Sequence, residues 1–213
     1  MSELSAFFDT IDRSRLQRTL ELADLKFRST TDPRPDRFSI QSKAVVVLSY
    51  AHWEGFYNEC VDSYVQYLSM RSEKVASVSW NLLVGALSGN FVRLRDRNHT
   101  MEARSEFVAA LREKLECKFD QFDLNIIKSR SNLNFERLSS NFRTLEFDIS
   151  PFAPSRLRID KELVGWRHAV AHGSPPDLSS VDIGNHVEFT LNLMEMIATA
   201  FQEAAARLLA PAH

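Results

Sequence analysis

Apolar residues recur along most of this chain every three to five positions, the period of a helix with one buried face. Between Leu4 and Phe27 they fall at Leu4, Phe7, Phe8, Ile11, Leu16, Leu20, Ala23 and Phe27, which predicts an amphipathic helix. Asp32-Pro33-Arg34-Pro35-Asp36 breaks it, because proline lacks the backbone donor that a helix interior needs. A second helix is expected from about Phe38 to Met70. It carries Ala44-Val45-Val46-Val47-Leu48 and then Tyr50, Trp53, Phe56, Tyr57, Val61, Tyr64, Val65 and Leu68. Its first half is apolar nearly all round, so it should run through the centre of a bundle or into a partner. The β-branched run continues in helical period without a breaker, which argues against a strand.

The remaining pattern is also helical. Helices are expected over Lys74–Leu87, Glu102–Cys117 and Asn134–Phe147, the last capped by Asn132 or Asn134. Phe119–Asn132 reads as irregular, Asp148–Pro154 as a connection, and Arg93–His99 as a solvated charged surface with no helix stop behind it. Ser155 or Asp160 should begin a helix that stops at Gly173-Ser174-Pro175-Pro176, and a final helix should span about Leu178–Leu209. No segment shows strand alternation. The expectation is one all-α domain over 1–213, with an N-terminal helix and proline loop to 37 and a bundle core over 38–213.

Composition agrees. Six glycines in 213 residues favour long helices over many turns, and 44% apolar residues supply a core. A net charge of -2 confines any nucleic-acid binding to a local patch. Cys60 and Cys117 match no metal spacing and read as reduced thiols in or near the core of a cytoplasmic protein. The N-terminus has neither a basic start nor an apolar run, and Ala44–Leu48 is too short to span a bilayer, so no signal peptide or membrane association is expected.

The chemistry concentrates in Leu163-Val164-Gly165-Trp166-Arg167-His168-Ala169-Val170-Ala171-His172-Gly173. His168 and His172 have the i, i+4 spacing of a zinc pair, but Ala169 stands where a metalloprotease has its glutamate. No third ligand lies at a telling distance, so no metal or cofactor is expected. No nucleophile elbow, phosphate loop or dinucleotide fingerprint occurs. That leaves Arg167 and His172. With 19 arginines and 6 histidines, chance alone supplies about half such a match per chain. Arg93 with His99 is a near-decoy. Arg167 to His172 differs by following a packed stretch and by ending at a helix stop. Its cations bond helix-end carbonyls in one reading and form a site in the other, and spacing leaves both open. As a site the pair suits RNA cleavage: histidine moves a proton to or from a ribose hydroxyl, and arginine's planar fork holds phosphate oxygens. A two-fold dimer would double both groups in one cleft.

At these residues the chain resembles the HEPN superfamily, whose hallmark is Arg, four to six residues, His, with a polar residue after the arginine. Tyr50-Ala51-His52-Trp53-Glu54-Gly55-Phe56 and Ser131-Asn132-Leu133-Asn134 are similar to its RiboL-PSP-HEPN branch. The resemblance spans about Ser39 to the end. It implies a helical bundle that dimerises through the motif helices, and a metal-independent endoribonuclease, often the toxin of a toxin–antitoxin or phage-defence locus with a cognate antitoxin protein. It implies catalytic roles for Arg167 and His172, a supporting role for His168, and a role for Glu54 in orienting Arg167 or His172. The alternative is a non-catalytic module that binds nucleotide, RNA or a partner protein.

Overall fold

Three long helices carry the core of the computed structural model, which describes residues 2–30, 40–71, 73–78, 80–129, 132–174, 178 and 182–208. They are α1 (Glu3–Thr30), α2 (Ile40–Met70) and a C-terminal helix, Ile183–Arg207, and they pack on one another. Between α2 and the C-terminal helix come α3 (Leu83–Ala86), α4 (Ser88–Asp96), α5 (Met101–Glu116), α6 (Phe135–Leu145), α7 (Arg156–Arg158) and α8 (Trp166–Ala171). The C-terminal helix is therefore α9. No strand occurs among the described residues, apart from one isolated bridge between Lys74 and Lys118. The expected all-α class is thus observed. The expected proline break lies in 31–39, outside the described residues, as do Pro175 and Pro176.

α2 is central because its apolar residues face several neighbours at once. Trp53, Phe56, Tyr57 and Val61 are fully buried, and the rings of Tyr57 and Tyr64 meet Phe201 of α9 edge-on. Burying each such side chain stabilises the fold by roughly 1.5–3 kcal/mol. Only one side of its first half is covered: Val45 and Val46 are buried, whereas Leu48 is exposed. α1 is apolar on two faces. Phe7, Ile11 and Leu22 are buried, while Leu16, Leu20 and Phe27 face outward.

Several expectations need correction. Lys74–Leu87 is no single helix. It breaks into 3₁₀ turns at Val75–Ser77 and Trp80–Leu82 and the single turn of α3, with Val78 in extended conformation between them. Its valines and serines are weak helix formers, and the chain there bridges to the residue after Cys117 instead. Ser150–Ser155 is a 3₁₀ helix, not an open connection; Pro151 opens it and buries Phe152 against Phe142. α9 starts at Ile183, later than expected, where the Asp182 side chain accepts the Asn185 amide. Asn134 does cap α6, accepting the Arg137 amide at 2.8 Å. Cys60 is buried, and burial pushes its thiol well up, but Cys117 is exposed. Arg93 is exposed as expected, yet a helix does stop behind it: α4 ends at Asp96, and Asn98 and His99 just after it are both left-handed, with φ 49° and 53°.

Candidate functional site

The motif sits on a helical run with a change of pitch. α7 leads into a π-helical segment, Ile159–Gly165, which leads into α8. π turns are rare and frequently mark functional sites. Gly165 belongs to the pitch change: a Cβ there would lie 3.2 Å from the carbonyl oxygen of Asp160, five residues back. Ser155 precedes the run without capping it. Asp160 lies inside the run and accepts the Phe135 amide at 2.8 Å, tying the motif helix to the start of α6.

The helix ends as the sequence indicates. Gly173 is left-handed, with φ 75°. Its amide donates to the Val170 carbonyl at 3.2 Å, and the Ser174 amide donates to Ala169 at 2.9 Å. These are the two bonds of a Schellman stop, which satisfies carbonyls that the helix leaves open. His172 is the capping residue. His168 and His172 are both exposed, and their ring centroids lie 4.2 Å apart.

Arg167 turns the other way, toward α2. Its guanidinium carbon lies 3.9 Å from the centre of the Tyr50 ring, a cation–π contact on a half-buried arginine. Tyr50 is fixed in turn. Its hydroxyl donates to Glu54 at 2.9 Å and accepts the Leu133 amide at 2.9 Å. Glu54 also accepts the Ser129 hydroxyl. The Trp53 indole donates to the Leu133 carbonyl at 3.1 Å, and Asn58 clasps Ser129 through both backbone groups. Burial pushes the Tyr50 phenol up to about 12; the Leu133 amide opposes this and the Glu54 carboxylate adds to it. The ring under Arg167 therefore stays a neutral phenol near neutral pH.

Among the described residues, then, the candidates divide into two groups. Arg167 joins Glu54 through Tyr50, and His168 joins His172. Among the described residues, no ion pair links Glu54 directly to Arg167 or His172. Sequence reasoning missed Tyr50 and Ser129. Tyr50 has a local signal, since it stands four residues before Glu54 on one helix face. Ser129 has none, being brought in from 75 residues away. His52, in the same stretch as Glu54, faces α1, where Arg18 lies 3.3 Å and Glu21 3.4 Å from its ring nitrogens. On its other side the motif helix is fastened to α9: Trp166 stacks on buried His186 at 5.5 Å. Burial pushes His186 down to about 4, helped by Arg158. No three His, Cys, Asp or Glu side chains among the described residues are gathered to hold a metal ion. No described helix is long and apolar enough to cross a membrane.

No curated protein and no solved structure matches the chain significantly. The family model for RiboL-PSP-HEPN matches residues 13–203, which include α2, Ser129 and Leu133, the motif helix and nearly all of α9. A likeness of that extent makes the chain a member of the RiboL-PSP-HEPN family.

Proposed function

We propose that this protein is a metal-independent endoribonuclease, working as a homodimer in the cytoplasm as the toxin of a toxin–antitoxin or phage-defence system. One observation carries the reading: in a HEPN-family chain, the motif arginine lies over a fixed aromatic ring, and two exposed imidazoles stand at the end of the same helix. Arg167 supplies a preorganised cation for the phosphate as charge builds on it. His172 of one copy takes the proton of a ribose 2′-hydroxyl. The 2′-oxygen bonds to the adjacent phosphorus, and the bond from phosphorus to the 5′-oxygen breaks. His172 of the second copy returns a proton to that leaving oxygen. The products are a 2′,3′-cyclic phosphate and a 5′-hydroxyl. His168, packed against His172, keeps its ring in place. Glu54 and Tyr50 are positioning residues for Arg167.

The test is RNA cleavage by the purified protein in EDTA, with end-group analysis and sedimentation in parallel. Cyclic-phosphate ends from a dimer are expected. A folded dimer that cuts no RNA would sink the reading and leave a binding module.

A further inference from the structure

The Asn132-Leu133-Asn134 stretch meets Tyr50 and Trp53 through the Leu133 backbone and caps α6 through the Asn134 side chain. Its side chains border a cleft of about 480 Å³ lined by Asn132, Asn134, Glu136, Arg137 and Ser140. No apolar side chain is among these, so every residue named can offer a hydrogen bond to a ligand. Two amides at the start of α6 are already taken: Asn134 accepts the Arg137 amide and Asp160 accepts the Phe135 amide. What remains is a set of side-chain groups. Two amides bring donors and acceptors, Glu136 brings a carboxylate, and Arg137, anchored by one arm to the Lys128 carbonyl at 3.3 Å, brings a cation.

The cleft is fastened to the same parts that hold the motif arginine. Leu133, between the two asparagines, donates its amide to Tyr50, the residue under Arg167. Phe135, next along, donates its amide to Asp160 of the motif helix and carries the Arg156 guanidinium over its ring at 5.6 Å. The cleft and the Arg167 contact are thus joined through Leu133 and Tyr50, and through Phe135 and Asp160 of the motif helix.

We infer that this cleft is a nucleobase subsite of the RNA-binding surface, and that it prefers guanine in a nucleotide next to the cleaved bond. The inference rests on the ribonuclease reading only for the word cleaved; base binding stands by itself. A second phosphate is a poor occupant, because Glu136 would repel it. A base edge with donors and acceptors side by side fits. Guanine presents two adjacent N–H donors that match the two oxygens of a carboxylate, beside a carbonyl acceptor for an amide or a guanidinium. Adenine and cytosine each lack one half of that pattern.

The experiment compares binding of guanosine, adenosine, cytidine and uridine 5′-monophosphates by the full-length chain, using titration with NMR or calorimetric detection. It is repeated in Glu136→Gln and Asn132→Ala. Both side chains are exposed and make no described internal hydrogen bond, so both variants should fold, which circular dichroism checks. The guanosine nucleotide should bind about ten-fold more tightly than the other three, and Glu136→Gln should remove most of that margin. Four equal affinities, no binding at all, a margin untouched by either variant, or equal displacement by inorganic phosphate would each overturn the inference. Cut-site mapping on a random-sequence RNA separates the two claims. Guanosine binding without cleavage refutes the ribonuclease and keeps the subsite. Cleavage whose base preference is the same in wild type and Glu136→Gln refutes the subsite and keeps the ribonuclease.

Discussion

Arg93 with His99, around the end of α4, and Arg167 with His172, in the motif helix, both set a histidine a few residues after an arginine at a helix stop. Both stop in left-handed backbone, so the stop does not tell them apart. What differs is the support. α4 has no buried residue, Arg93 is exposed, and the turn after it is pinned by the surface ion pair of Arg97 with Glu106. Pairs of that kind contribute little, and they hold no group to a fixed direction. Arg167 is half-buried on a ring whose hydroxyl is bonded on both sides, and Trp166 beside it stacks on α9. A motif of two residue types becomes a candidate site only where the fold fixes the direction of its charge.

The largest effect should come from the histidines. His172→Ala is expected to slow RNA cleavage by about 10²–10⁴-fold, the usual contribution of a proton-transfer group, while His99→Ala leaves the rate unchanged. Rates on a labelled RNA in EDTA decide; equal losses in both variants would erase the distinction between the two helix ends.

Next comes the clamp on the motif helix. His186 is buried neutral, with its pKa lowered from 6.5 to about 4. As pH falls below 6.5 the unfolded chain takes up this proton first, so the stability present above that pH is lost progressively toward pH 4. The loss from this group is about 3 kcal/mol, or roughly 6–12 °C in Tm. His186→Phe keeps a ring against Trp166 and should flatten that part of the Tm–pH curve. An unchanged slope in the variant would show that the clamp does not titrate.

Tyr50→Phe keeps the ring under Arg167 but leaves the Leu133 amide without its acceptor and takes a donor from Glu54. A cost of about 1–3 kcal/mol is expected in urea unfolding, with slower cleavage than wild type at equal RNA. No change in either measurement would mean that the network does not support the arginine.

The smallest effects have opposite signs at the two stops. Gly173→Ala should destabilise by about 1–2 kcal/mol, because φ 75° is unfavourable for a side chain. Asn98→Gly, in the decoy turn at φ 49°, should be neutral or stabilising by up to about 1 kcal/mol. Paired urea midpoints check both, and the same sign at both positions would contradict the backbone argument.

Much of the fold was legible in the residue pattern. The periods of α1, α2, α5 and α6, the Asn134 cap and the Gly173 stop follow from local preferences acting over a few residues. Lys74–Leu87 misled because its leucines keep a helical period while its valines and serines do not favour a helix. The π segment was invisible, since Ile159–Gly165 carries no residue type reserved for that pitch.

By itself, the sequence determined that the chain is helical, where the motif helix ends, and that an arginine and two histidines gather there. Those are short-range facts, set by helical period, by proline and by the conformational freedom of glycine. Only the tertiary structure decided that Arg167 lies on Tyr50, that Tyr50 and Glu54 are bonded to Leu133 and Ser129, and that Trp166 rests on His186. Leu133 is 83 residues from Tyr50 and Ser129 is 75 from Glu54. Partners so far apart are chosen by how the whole core packs, and no local preference encodes that choice.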